Sequence, residues 1–108
     1  MLRYLPGATL ARALILQLAA SADAQKEICT VTSDIVAAIV TLRAEGRQPD
    51  VIKRSLTSDG VDIAEDYKPT VPPLVDMVFT LDEAVVQDPA AAQVISDDYR
   101  NSCLGYEP

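Results

Sequence analysis

Residues 26–45 read KEICTVTSDIVAAIVTLRAE, and the spacing of their apolar residues decides the fold class. Ile28, Val31 or Thr32, Ile35, Ile39 and Leu42 recur at steps of three and four, and Val36 and Val40 widen the stripe. That is the period of one face of an α-helix. Asp34, Arg43 and Glu45 fall away from the stripe and are expected in solvent. A strand through 35–42 is the competing reading, but it leaves Ala37, Ala38 and Thr41 oddly placed in a two-residue period. The β-branched residues lower intrinsic helix propensity, so packing has to hold this helix. Gly46 follows as its terminator, because glycine takes the left-handed geometry of a helix end without steric cost.

Upstream, residues 1–24 have the form of a secretory signal. Arg3 and Arg12 are positive, residues 13–20 (ALILQLAA) form a short apolar core, and Ser21-Ala22-Asp23-Ala24 is a small-x-small cleavage pattern. Cleavage is expected before Gln25, leaving 25–108 as a single helical domain in the periplasm or outside the cell. The alternative is the N-terminal amphipathic helix of a cytosolic protein, which Gln17 within the apolar core favours. The run is far shorter than the roughly 18 residues of a membrane span, so no membrane insertion is expected.

Downstream, Pro49 is placed to open a second helix with its preset φ, and Asp50 adds a negative charge to the first turn. Val51, Ile52 and Leu56 give it one apolar face, and Thr57-Ser58-Asp59-Gly60 stops it. Residues 58–73 are the least regular, with Pro69, Pro72 and Pro73 barring a long helix. Asp59, Asp62, Glu65 and Asp66 cluster there without the spacing of a calcium loop, so a solvated acidic turn is the better reading. Thr70 is a plausible N-cap for a third helix carrying Val71, Leu74, Val75, Val78 and Phe79. Thr80-Leu81-Asp82-Glu83 matches a capping box and predicts a short helix through Val86. Asp88 and Pro89 open the last helix, with Ala91 or Ala92, Val94, Ile95, Tyr99 and Cys103 along one side and Gly105 at its end. The expected fold is all-α, a small bundle of four to five short helices.

The chain carries 9 basic and 16 acidic residues, no histidine, and a net charge of −7. Loss of residues 1–24 would remove Arg3, Arg12 and Asp23 and leave the remainder more acidic still. No basic patch exists to replace the counterions of a nucleic acid, so none is expected as partner. The two cysteines, Cys29 and Cys103, are read as one structural disulfide in an oxidising compartment. Two thiols without histidine make an incomplete zinc shell, and a redox pair favours Cys-x-x-Cys spacing. Closing so long a loop should stabilise the fold by roughly 4–5 kcal/mol on the chain-entropy account, which matters in a chain with a small core.

Without histidine the commonest general base and metal ligand are gone, and the serines have no evident base partner. No phosphate-cradling glycine loop occurs. Asp82 and Glu83 could be read as a catalytic carboxylate pair, but adjacent helical positions diverge and capping explains them better. Neither an enzyme nor a cofactor or metal is expected. What remains is an acidic C-terminal part, in which Asp82, Glu83, Asp88, Asp97 and Asp98 form a possible partner-binding face opposed only by Arg100. Such a face suits a basic protein partner, as inhibitor proteins use it, while acidity alone also serves solubility.

An export signal, Cys29 near the start of the first mature helix, an Ala- and Val-rich body and the closing Tyr99-x-x-x-Cys103-Leu104 together resemble small two-cysteine helical proteins of the Gram-negative periplasm. That group includes the amidase immunity proteins that protect cells from type VI secretion toxins. The resemblance implies an all-helical domain that blocks the active site of a cell-wall-degrading enzyme. Acid-activated periplasmic chaperones share the size and the single bridge, and such a protein would loosen below about pH 3–4. A structural envelope component is the third alternative.

Overall fold

The structure, a computed structural model, describes residues 4–106, with side chains from Ala22 onward. Five α-helices follow one another: α1 (Tyr4–Ala44), α2 (Pro49–Thr57), α3 (Val71–Val78), α4 (Glu83–Val86) and α5 (Ala91–Leu104). A 3-10 helix, Glu65–Thr70, leads directly into α3, and there is no strand among the described residues. The all-α expectation holds, and Cys29 is joined to Cys103 with their Cα atoms 5.6 Å apart.

The long α1 is the spine. It was expected to begin near Lys26, yet it continues through the predicted cleavage point without a break. The reason is local: between Ala8 and Ala44 there is neither proline nor glycine to stop it. Of the predicted leader, the side chains of residues 1–21 lie outside the described residues. The C-terminal end of α1 is as expected. Gly46 has φ +90°, its N–H donates to the Arg43 carbonyl at 2.9 Å, and the Arg47 N–H donates to that of Leu42 at 3.2 Å. These two reversed bonds are a Schellman motif.

α5 lies antiparallel along α1, with Cys103 beside Cys29, Ser96 against Ser33, and the end of α4 reaching Ala44 through Gln87. α3 packs on the other flank of α1 and α2 on α3, where Lys53 and Asp76 pair at 2.8 Å. The core joins Ile35, Val36, Ile39 and Val40 of α1, Ile52 and Leu56 of α2, and Val71, Leu74, Val75 and Val78 of α3, with Val86 and Ala91.

Several side chains depart from the expected pattern. Ile28 is 48% exposed, because Cys29 and then Thr32 and Ser33 take the inward positions of that turn. Val94 likewise turns outward, while Ala91 and Ser96 face α1. Arg43, expected in solvent, is half-buried instead; its guanidinium lies 4.9 Å from the centre of the Phe79 ring and donates to the Val78 carbonyl at the end of α3. Phe79 is accordingly a half-buried edge of the core.

The predicted caps form differently as well. The Thr80 hydroxyl donates back to the Met77 carbonyl, so no capping box forms, and Asp82 stands at the N-cap of α4 without a side-chain bond. The Thr70 hydroxyl likewise donates to the Tyr67 carbonyl rather than capping α3. Threonine competes for nearby carbonyls of its own turn, and here that local bond wins. Asp88 does accept a backbone N–H, from Ala90 at 2.8 Å, but regular helix starts only at Ala91.

Candidate functional site

The candidate acidic residues fall on α4, on α5 and on the turn between them. α4 is a single turn whose Val86 is driven into the core, at 1% exposed. Its neighbour Val85 therefore points away, one helical step round, and is 50% exposed. The Asp88 turn then brings the chain back so that Ala91, Ile95 and Ser96 of α5 face the body of the domain, with Ala91 and Ser96 buried and Ile95 half-buried. Val94 is left outside that contact at 53% exposed.

Between the two outward valines runs a groove of about 550 Å³, lined by Ala84, Val85, Asp88, Ala90, Val94 and Ile95. Asp82 and Asp88 stand three residues either side of Val85, and Asp97 and Asp98 stand three and four residues beyond Val94. The spacings from Val94 are those at which side chains meet on a helix surface, here along α5, whereas Asp82 and Asp88 flank the single turn of α4. Asp82, Glu83, Asp88, Asp97 and Asp98 are all exposed. Of the five, Asp88 lines the groove. Asp97 also accepts from the Gln93 amide at 3.0 and 3.1 Å, a bond that fixes the carboxylate on the outer face of α5. Asp82 and Glu83, at the start of α4, sit where a helix favours negative charge.

What this arrangement can do is recognise. Two branched aliphatic side chains are presented to solvent in a concave strip, with the Asp88 carboxylate in its lining and those of Asp97 and Asp98 one turn beyond Val94. The sequence reading found the carboxylates and missed the valines. The available signal was the run Ala91, Ile95, Tyr99, Cys103 at four-residue steps, which sets the inward face of α5 and puts Val94 one step off it.

Among the described residues no cluster of three or more His, Cys, Asp or Glu side chains is arranged to hold a metal ion. Asp59 and Glu65, in the irregular acidic stretch, instead pair with Lys68, whose side chain is 12% exposed. Nor, among those residues, is any helix long and apolar enough to cross a membrane. No protein-family model matches the chain, and no curated protein or solved structure matches it either.

Proposed function

We propose that this protein acts by binding another protein, one with a basic surface, through the groove between α4 and α5. The reading that fits it best is an exported inhibitor or immunity protein that covers the active site of a cell-wall-degrading enzyme. The observation that carries the proposal is the exposure of Val85 and Val94 in one groove that Asp88 also lines, with Asp97 and Asp98 one helical turn beyond Val94 on α5. Branched aliphatics in a concave strip gain from being covered: full burial of such a side chain is worth about 1.5–3 kcal/mol. These two, each about half exposed, have roughly half of that still to gain. Apolar anchors at the centre with charge at the rim is the common anatomy of a protein interface. The carboxylates add speed and choice of partner, steering a basic surface in and repelling an acidic one. No catalytic step is assigned to the protein itself.

The test is affinity capture at neutral pH, comparing the protein with a Val85→Asp, Val94→Asp double variant. A stoichiometric partner should be retained by the protein and weakened at least about tenfold by the double variant, while the folded state is unchanged by circular dichroism. Added salt should slow its association. Activity of a captured wall-degrading enzyme should fall in proportion to complex formed. Equal retention by both forms sinks the groove, and retention of a partner whose activity is unaffected sinks the inhibitor reading.

A further inference from the structure

At the opposite end of α5 a cavity of about 650 Å³ opens beside the disulfide, lined by Ala24, Gln25, Ile28, Tyr99 and Tyr106 together with the two cysteines. The two sulfur-bearing residues differ sharply in access. Cys29 lies on the packed face of α1 and is 0% exposed, above the buried Thr32 and Ser33. Cys103 lies in the last turn of α5 and is partly exposed. Ile28 and Tyr106, both substantially exposed, give the cavity an apolar collar. The Gln25 amide donates to the Cys103 carbonyl at 3.0 Å and to the Tyr106 carbonyl at 2.8 Å, holding the end of α5 beside α1 at the edge of the cavity.

We propose that the bond is made and opened in one direction, with Cys103 the sulfur that exchanges with an outside thiol or disulfide and Cys29 the one that resolves. A thiolate has to reach the sulfur it attacks, and exchange selects by access. On opening, the thiolate of a small thiol forms a new S–S bond to the Cys103 Sγ as the Sγ–Sγ bond breaks. The electron pair leaves on the Cys29 Sγ, which then takes a proton from water. On closing, the Cys103 thiolate attacks the disulfide of a carrier and releases one carrier thiolate. The Cys29 thiolate then displaces the second from Cys103, so the carrier is reduced by the two electrons the cysteines lose. The cavity is the approach for the outside reagent, and its apolar collar suits the peptide-like surroundings of a carrier thiol. Closure at Cys29 is an internal step that needs no opening of the core.

The probe is reduced glutathione. The oxidised, folded protein is exposed briefly to excess glutathione in mildly alkaline buffer. The mixture is then brought to mildly acidic pH in guanidinium with excess N-ethylmaleimide, which caps every free thiol, Cys29 included. Peptide mapping by mass spectrometry reads which cysteine carries which group. The expected product has glutathione on Cys103 and maleimide on Cys29, in roughly tenfold excess over the reverse. The same reaction in denaturing guanidinium should erase the preference. An even split from the folded protein, the reverse preference, or no adduct until the protein unfolds would each overturn the assignment.

Discussion

Where α1 crosses α5, Ser33 and Ser96 stand in positions that a larger side chain would force apart. The Ser96 hydroxyl donates to the Ser33 carbonyl at 2.8 Å, and both residues are buried. Ser96→Ala removes one buried hydrogen bond and is expected to cost about 1 kcal/mol in urea unfolding. Ser96→Leu adds volume to a close contact and is expected to cost about 2–3 kcal/mol. If leucine were no worse than alanine, the crossing would not be tight at this point. Neither serine stands out in the sequence, since a buried polar residue at a close crossing breaks the apolar pattern that marks a core. The same limit explains Ile28 and Val94. Periodicity places a stripe to within about one helical step of 100°, and these two lie at its edge. Arg43 was unreadable for another reason: its place over Phe79 depends on a contact between segments far apart in the chain.

At the scale of elements, α1, α2, α3 and α5 follow from hydrophobic period and from their terminators, and the structure has each of them. The end of α1 shows why this worked. Gly46, at φ +90°, has nothing within 4 Å of where a Cβ would stand, so the demand for glycine there is conformational and not steric. Gly46→Ala is therefore expected to cost about 1 kcal/mol through backbone strain alone, lowering the unfolding midpoint without changing the urea slope. A neutral effect would mean that the turn relaxes out of the left-handed region. Caps were less legible than periods. Thr70 and Thr80 satisfy the sequence rule for N-caps, yet both hydroxyls bond backward to carbonyls three residues earlier. A capping motif states what a side chain can do; the turn before it decides what it does. α4 is so short that its place is set by Val86 entering the core, which in turn exposes Val85.

Across the whole molecule, α1 divides the packing into two unequal parts. On one flank α2 and α3 contribute fully buried aliphatics, Ile52, Val71, Val75 and Val78. On the other, the only buried residues of α5 are Ala91 and Ser96, with Ile95 and Tyr99 half-covered. The C-terminal half of α5 thus gains little from apolar burial, and the disulfide, with the Gln25 amide bonds beside it, is what keeps it on α1. The pairing of the two cysteines was expected from their number, but this division of labour was not legible, because it rests on how much each helix face is covered. It leads to a regional prediction. Cys103→Ser should lower overall stability by roughly 2–4 kcal/mol, and the loss should be uneven in hydrogen–deuterium exchange. Amides of 99–104 should exchange fastest relative to the parent, because local opening of α5 no longer needs the bridge to yield. Amides of α3 and of the α1 segment 35–42 should keep the greatest protection, since their burial is untouched. A uniform acceleration across all helices would show instead that the bridge acts on the unfolded chain alone and that α5 is held by packing after all.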